Sequence, residues 1–163
     1  MIVVANSSPL ISLSAINSLH LLRSLYAAIY IPLAVYQEVV VIGKGKAGAK
    51  EVAGALWIRC RHVQSARVVS ELMVKTHLDE GESEAIVLAQ ELRANLLIID
   101  NQKARDCARE LGISATGTMG ILLLGKERGL ISSVKAQLNE LISMGVYLDA
   151  KTCSRILRKA GEE

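Results

Sequence analysis

Four apolar residues, Leu96-Leu97-Ile98-Ile99, run without a break into Asp100. Such a run reads as a strand buried on both faces, and a strand of that kind belongs in a parallel sheet covered by helices. Before it, Glu82 to Arg93 places Ala85, Ile86, Ala89 and Leu92 on one helical face. After it, Gln102 to Leu111 reads as a helix closed by Gly112. In open parallel sheets, ligands collect where strands end at their carboxyl edge. A carboxylate fixed there is a poor choice for stability and a good one for a hard divalent cation.

The same alternation runs along the chain. Ile2 to Ala5 is a short strand ending in the turn Asn6-Ser7-Ser8-Pro9, with Pro9 in the first turn of a helix. A short helix is expected over Leu19 to Leu25 and a strand over Ala28 to Ile31, stopped by Pro32. Leu33 to Val41 reads as a helix carrying Glu38, Ala49 to Leu56 as another, and Trp57 to Cys60 as a third strand. Val68 to Val74 is expected to be helical. Ile113 to Ala115 reads as a last short strand, turned by Gly117-Thr118 into the helix Met119 to Lys126. Ile131 to Met144 and Ala150 to Lys159 are helical. The expectation is an α/β fold, a parallel sheet with helices on both faces. It forms one domain over 1–163, with 130–163 a helical extension packed on it.

Composition narrows the function classes. Aromatic residues make up 3% with no Phe, so the core must be Leu, Ile, Val and Ala, and a platform for stacking bases is not expected. A net charge of +3 permits a nucleic-acid partner without demanding one. Cys60, Cys107 and Cys153 form no C-x-x-C pair, which argues against a zinc site or disulfide framework and fits a reducing cytosol. Met1 to Leu22 carries no formal charge, but Asn6, Ser7, Ser8, Ser12, Ser14 and Asn17 interrupt any apolar core. Secretion and membrane insertion are not expected, and the cytoplasm is the expected location.

Glu38, Glu84 and Asp100 fall on three separate elements, and Asn6 ends the first strand beside the place where Asp100 ends its own. Acids brought together repel unless a cation neutralises them. Mg²⁺ or Mn²⁺ prefers oxygen ligands and keeps waters, one of which can become a nucleophile. The plainer alternative is that Glu38, Glu82 and Glu84 are solvated helix residues and Asp100 an N-cap. Gly43 to Gly48, GKGKAG, satisfies G-x-G-x-x-G, but Lys44 and Lys46 suit an exposed basic loop better than a pyrophosphate cradle. Such a loop could touch phosphates. Arg105 stands close enough to the acids in sequence to hold a phosphate or restrain a carboxylate. Arg155, Arg158 and Lys159 form a charged helical face that could help. His20, His62 and His77 are isolated, so triad and H-E-x-x-H chemistry find no support.

Five segments in order, VVANSSPLISL, IPLAVYQEV, LDEGESEAIVLA, LLIIDNQKAR and GTMGILLLGKERGLI, together with LISMGVYLDAKTCSRILRKAGE, resemble the PIN-domain family of small metal-dependent ribonucleases. The likeness is greatest to a prokaryotic branch described as predicted nucleic-acid-binding proteins, related to VapC-type toxins. The resemblance implies a three-layer α/β/α sandwich around a parallel sheet. It places the family's first-strand acid at Asn6, its second at Glu38, its helix-opening acid at Glu84 with Glu82 next in line, and its fourth at Asp100. Thr118 matches a polar position near the cleft, and Ser8 is expected behind Asn6 as a supporting donor. It further implies Mg²⁺ or Mn²⁺, RNA as substrate, an antitoxin protein as partner, and a homodimer; the RNA is expected to be single-stranded or looped, because unpaired strands fit an acidic cleft most easily. Two residues depart from the pattern: Asn6 stands where most active members have Asp, and Asn101 where the branch often repeats an acid.

Overall fold

The computed structural model describes residues 1–163. Five parallel strands form one sheet: β1 (Val3–Ala5), β2 (Ile29–Pro32), β3 (Ile58–Arg61), β4 (Leu96–Ile98) and β5 (Ala115–Thr116), in the order β3-β2-β1-β4-β5. Around it lie α1 (Ser7–Ala15), α2 (His20–Tyr26), α3 (Leu33–Tyr36), α4 (Ala49–Ala53), α5 (Ala66–Thr76), α6 (Glu80–Glu91), α7 (Gln102–Glu110), α8 (Thr118–Glu127), α9 (Val134–Ser143) and α10 (Ala150–Lys159). The three layers follow from strand alternation. Val3, Ala5, Ile29, Ile31 and Ile98 pack into one core with residues of α1, α2, α8, α9 and α10. Val4, Leu97 and Ile99 face the other way, into a second core with Ala85, Ile86, Leu88 and Ala89 of α6 and Ala104 and Ala108 of α7. At the centre of the sheet, in β1 and β4, both faces are covered, which is why those strands lack polar alternation, whereas the edge strand β3 alternates and turns Arg59 and Arg61 to solvent. The expected α/β/α sandwich with a central parallel sheet is therefore what the chain forms.

Element order makes the site. The chain winds from β1 outward to β2 and β3, then crosses back to place β4 on the other side of β1. Neighbouring carboxyl ends of β1 and β4 thus form the topological switch point, where the connections leave in opposite directions and open a crevice. Ala5 pairs with Ile98, and the Asn6 amide donates to the Ile98 carbonyl at 2.9 Å. Asn6 and Asp100 are carried to adjacent strand ends by this register.

Several boundaries differ from expectation. α6 starts at Glu80 because Asp79 is its N-cap: Asp79 Oδ1 accepts from the Glu82 amide at 2.8 Å, and Glu82 reaches back to the Asp79 amide. This reciprocal capping box is written in the sequence as D-x-x-E. The helix after β2 continues as a π-helical segment over Gln37–Ile42, which shifts Glu38 out of α-helical phase. β5 sits at Ala115–Thr116, later than expected, with Ile113 buried under the second core. Glu162 fixes the C-terminus, accepting from the Val134 amide at 2.7 Å and from Lys126 Nζ at 2.9 Å. α5 is longer than expected, with Ser65 as its N-cap.

Candidate active site

Asn6 is the N-cap of α1, yet its side chain makes no capping bond. An Asn at that position ordinarily uses its side-chain oxygen to satisfy an amide of the first turn. Here Oδ1 is buried and has no hydrogen-bond partner. An orphaned buried acceptor is costly and calls for a partner. The site around it explains which kind. A Cβ built on Gly81 would stand 3.3 Å from Glu38 Oε2, 3.6 Å from Asn6 Oδ1 and 3.6 Å from Asp79 Oδ1. Three oxygens from β1, the π-helical segment and the α6 cap therefore gather around one point, and Gly81 keeps it open.

Each oxygen has its own support. Ser7 Oγ donates to Glu38 Oε2 at 2.7 Å. Ser7 is buried, whereas Ser8, the expected supporting donor, faces solvent. Glu82 lies on the crevice side of α6, where Asn101 Nδ2 donates to its Oε1 at 3.3 Å. Burial, followed by the charge of Asp79 and with a further push from Glu38, raises the Glu82 pKa.

Glu84 stands apart. It accepts from the Ala34 amide at 3.1 Å, at the start of α3. Burial raises its pKa, the Ala34 bond opposes that, and the neighbouring Glu80 raises it further. Residues two apart on a helix point about 200° from each other, so Glu82 and Glu84 cannot serve one site together. The helix-opening acid that shares the crevice with Glu38 is Glu82, and Glu84 is not among the gathered oxygens.

Asp100 Oδ1 accepts from the Thr118 amide at 2.6 Å, and its Oδ2 accepts from Thr118 Oγ1 at 2.8 Å. The carboxylate thus sits at the N-terminus of α8, where exposed amides and the helix dipole favour an anion. Gly117 makes the approach possible: a Cβ there would lie 2.7 Å from Asp100 Oδ1 and 2.9 Å from Arg105 Nη1. Arg105 donates to the carbonyls of Ile99 at 2.9 Å and Asp100 at 2.7 Å, holding the strand end rather than offering itself to a phosphate. Burial lowers its pKa, with Asp100 opposing. Asp100 does not cap α7. Asn101 does, accepting from the Ala104 amide at 3.2 Å. Lys44 and Lys46 lie on the exposed turn between the π-helical segment and α4.

The donor set is all oxygen, which suits Mg²⁺ or Mn²⁺ rather than zinc. No group of three His, Cys, Asp or Glu side chains is placed to hold a metal ion by itself. The arrangement is an arc with a neutral amide oxygen buried at its base, and a cation held there would draw on that oxygen while keeping most of its own waters. Ser7, Asp79 and Gly81 belong to the site although motif reading passed over them. The D-x-x-E box was the available signal for Asp79.

A family model described as a PIN domain matches residues 2–162. The chain belongs to the PIN-domain family. A solved PilT N-terminus domain protein from the hyperthermophilic archaeon Sulfolobus solfataricus is similar in fold, with a TM-score of 0.54 at 22% identity, covering 74% of this chain and 90% of that one. No curated protein sequence matches the chain. As a PIN domain, the chain has a nuclease-like fold, and none of its helices is long and apolar enough to cross a membrane.

Proposed function

We propose that this PIN domain is a metal-dependent endoribonuclease acting on single-stranded or looped RNA. The observation that carries the reading is the unpartnered Asn6 Oδ1, which lies with Glu38 Oε2 against Gly81 at the switch point of the sheet. Asn6, Glu38, Glu82 and Asp100 would hold one or two Mg²⁺ or Mn²⁺ ions. When bound, the cation would lower the pKa of a water and offset the charge gathering on the phosphate. The chain's own contribution is placement. Ser7 fixes the Glu38 carboxylate, Thr118 fixes Asp100, and Arg105 ties down the strand end between them. Glu82, with its raised pKa, supplies a carboxyl whose ionisation a cation would favour. The toxin role, an antitoxin partner and a homodimer rest on the family resemblance alone.

A second reading is a PIN scaffold that binds nucleic acid or an antitoxin and cuts nothing. It is favoured by the neutral side chain of Asn6 and by the engagement of both Asp100 oxygens with Thr118. Cleavage of a mixed single-stranded RNA pool in Mn²⁺, native chain beside Glu38→Gln, separates the two. Cleavage that the variant loses supports the nuclease; intact RNA in both lanes supports the binding role.

A further inference from the structure

A cavity of about 380 Å³ lies beside Asp100, between the start of α8 and the paired helices α9 and α10. Asp100 and Thr118 line one end of it, and Thr152 and Arg155 of α10 line it too. Met119 and Tyr147 add apolar wall. Its volume suits a small organic ligand.

Two exposed side chains of this wall stand out. Arg155 is exposed and joins no ion pair, whereas its neighbour Arg158 is tied to Glu163 at 2.8 Å. Tyr147 is 87% exposed in a chain with four Tyr, one Trp and no Phe. Asp149 feels the Arg155 charge without a contact ion pair, so an exposed aromatic ring beside an exposed guanidinium is left as a binding surface.

We infer that this cavity is a nucleotide subsite, holding one unpaired nucleotide of the RNA strand next to the scissile phosphate. The inference rests on the nuclease reading, because its Asp100 end is where that phosphate would lie. The chemistry selects the occupant. A wholly apolar ligand would strip water from Asp100 and Arg155 without pairing either. A free anion would meet the Asp100 charge. A nucleotide within a strand offers a flat, partly apolar base for Tyr147 and Met119 and a phosphate for Arg155. Single-stranded RNA is recognised through splayed bases stacked on aromatic rings, and Tyr147 supplies one such ring, short of the multi-ring platform that the composition argues against. Exposed Lys151, one turn before Arg155, extends the basic track away from the cavity.

The test is equilibrium binding of a short fluorescein-labelled single-stranded RNA in Ca²⁺, read by anisotropy, for the native chain, Arg155→Ala and Tyr147→Leu. Both side chains are exposed, so unchanged melting temperatures certify the variants. Each substitution is expected to weaken binding about tenfold, and in cleavage assays to raise KM with kcat kept. Native-like binding by both variants overturns the subsite, even if the native chain cleaves RNA. Binding that depends on both residues, in a chain that cleaves nothing, keeps the subsite and removes the nuclease reading. Absence of RNA binding by the native chain overturns the subsite. So does displacement of the RNA by a polyglutamate peptide with loss only in Arg155→Ala, since that describes a general anion surface.

Discussion

Ser7 Oγ holds Glu38 Oε2 at 2.7 Å across a sequence separation of 31 residues. The bond joins the first turn of α1 to the π-helical segment and fixes an oxygen of the exposed Glu38 carboxylate at Gly81, where the buried oxygen of Asn6 also lies. Without it the Glu38 side chain is free to rotate. Ser7→Ala is expected to cost about 1 kcal/mol of stability, at the modest end for a charge-assisted bond because Glu38 is exposed. The larger effect is expected in metal affinity. A Mn²⁺ titration of Ser7→Ala should show weaker binding than native, and equal affinity would remove Ser7 from the site.

Glu82 ties pH to metal binding. Its pKa is raised from 4.5, first by burial. A raised carboxyl pKa contributes stability that is full below the ordinary value and is lost as pH rises through the folded value. At neutral pH the ionised group is a burden that a cation relieves. Mn²⁺ should therefore raise the melting temperature more at neutral pH than near pH 4.5. Glu82→Gln keeps the capping geometry, so it should stabilise the metal-free chain at neutral pH and blunt the Mn²⁺ effect. A metal-induced shift that is the same at both pH values would contradict this.

Thr118→Val tests the seat of Asp100. The substitution keeps shape and the backbone donor but deletes the Oγ1 bond to Oδ2. Thr118 is buried, so denaturant unfolding should show a loss of about 1–2 kcal/mol. Cleavage should fall as well, because the carboxylate is held by one bond instead of two. A variant as stable and as active as native would show that the bond positions nothing.

At the other end of the molecule, hydrogen bonds from Lys126, from the Lys135 and Val134 amides and from Ser133 pull the Glu162 pKa down to about 2. A depressed carboxyl pKa gives stability that is full above the ordinary 4.5 and disappears as pH falls toward 2. Glu162→Gln should lower the melting temperature at neutral pH and differ little from native at the acid end. A constant difference across that range would contradict the assignment.

Much of this architecture was legible because β4 is dry on both faces, and only a covered parallel sheet explains Leu96 to Ile99. Asp100 was legible for the same reason, as an acid where a buried strand runs out. What was not legible depends on phase and on distant partners. Choosing between Glu82 and Glu84 needs the rotation of α6, which the Asp79 cap sets. Ser7 differs from Ser8 only by which faces inward once α1 has packed. The π-helical segment that sets the position of Glu38 has no periodicity signal of its own over six residues. Tyr147 and Arg155 come together only through the pairing of α9 with α10.

The most direct measurement is cleavage of a mixed single-stranded RNA pool in Mn²⁺ by the native chain, Asn6→Asp and Asp100→Ala side by side. Cleavage is expected from the native chain, faster cleavage once Asn6→Asp adds a charge at the base of the arc, and none from folded Asp100→Ala. Undiminished cleavage by Asp100→Ala would contradict the nuclease reading.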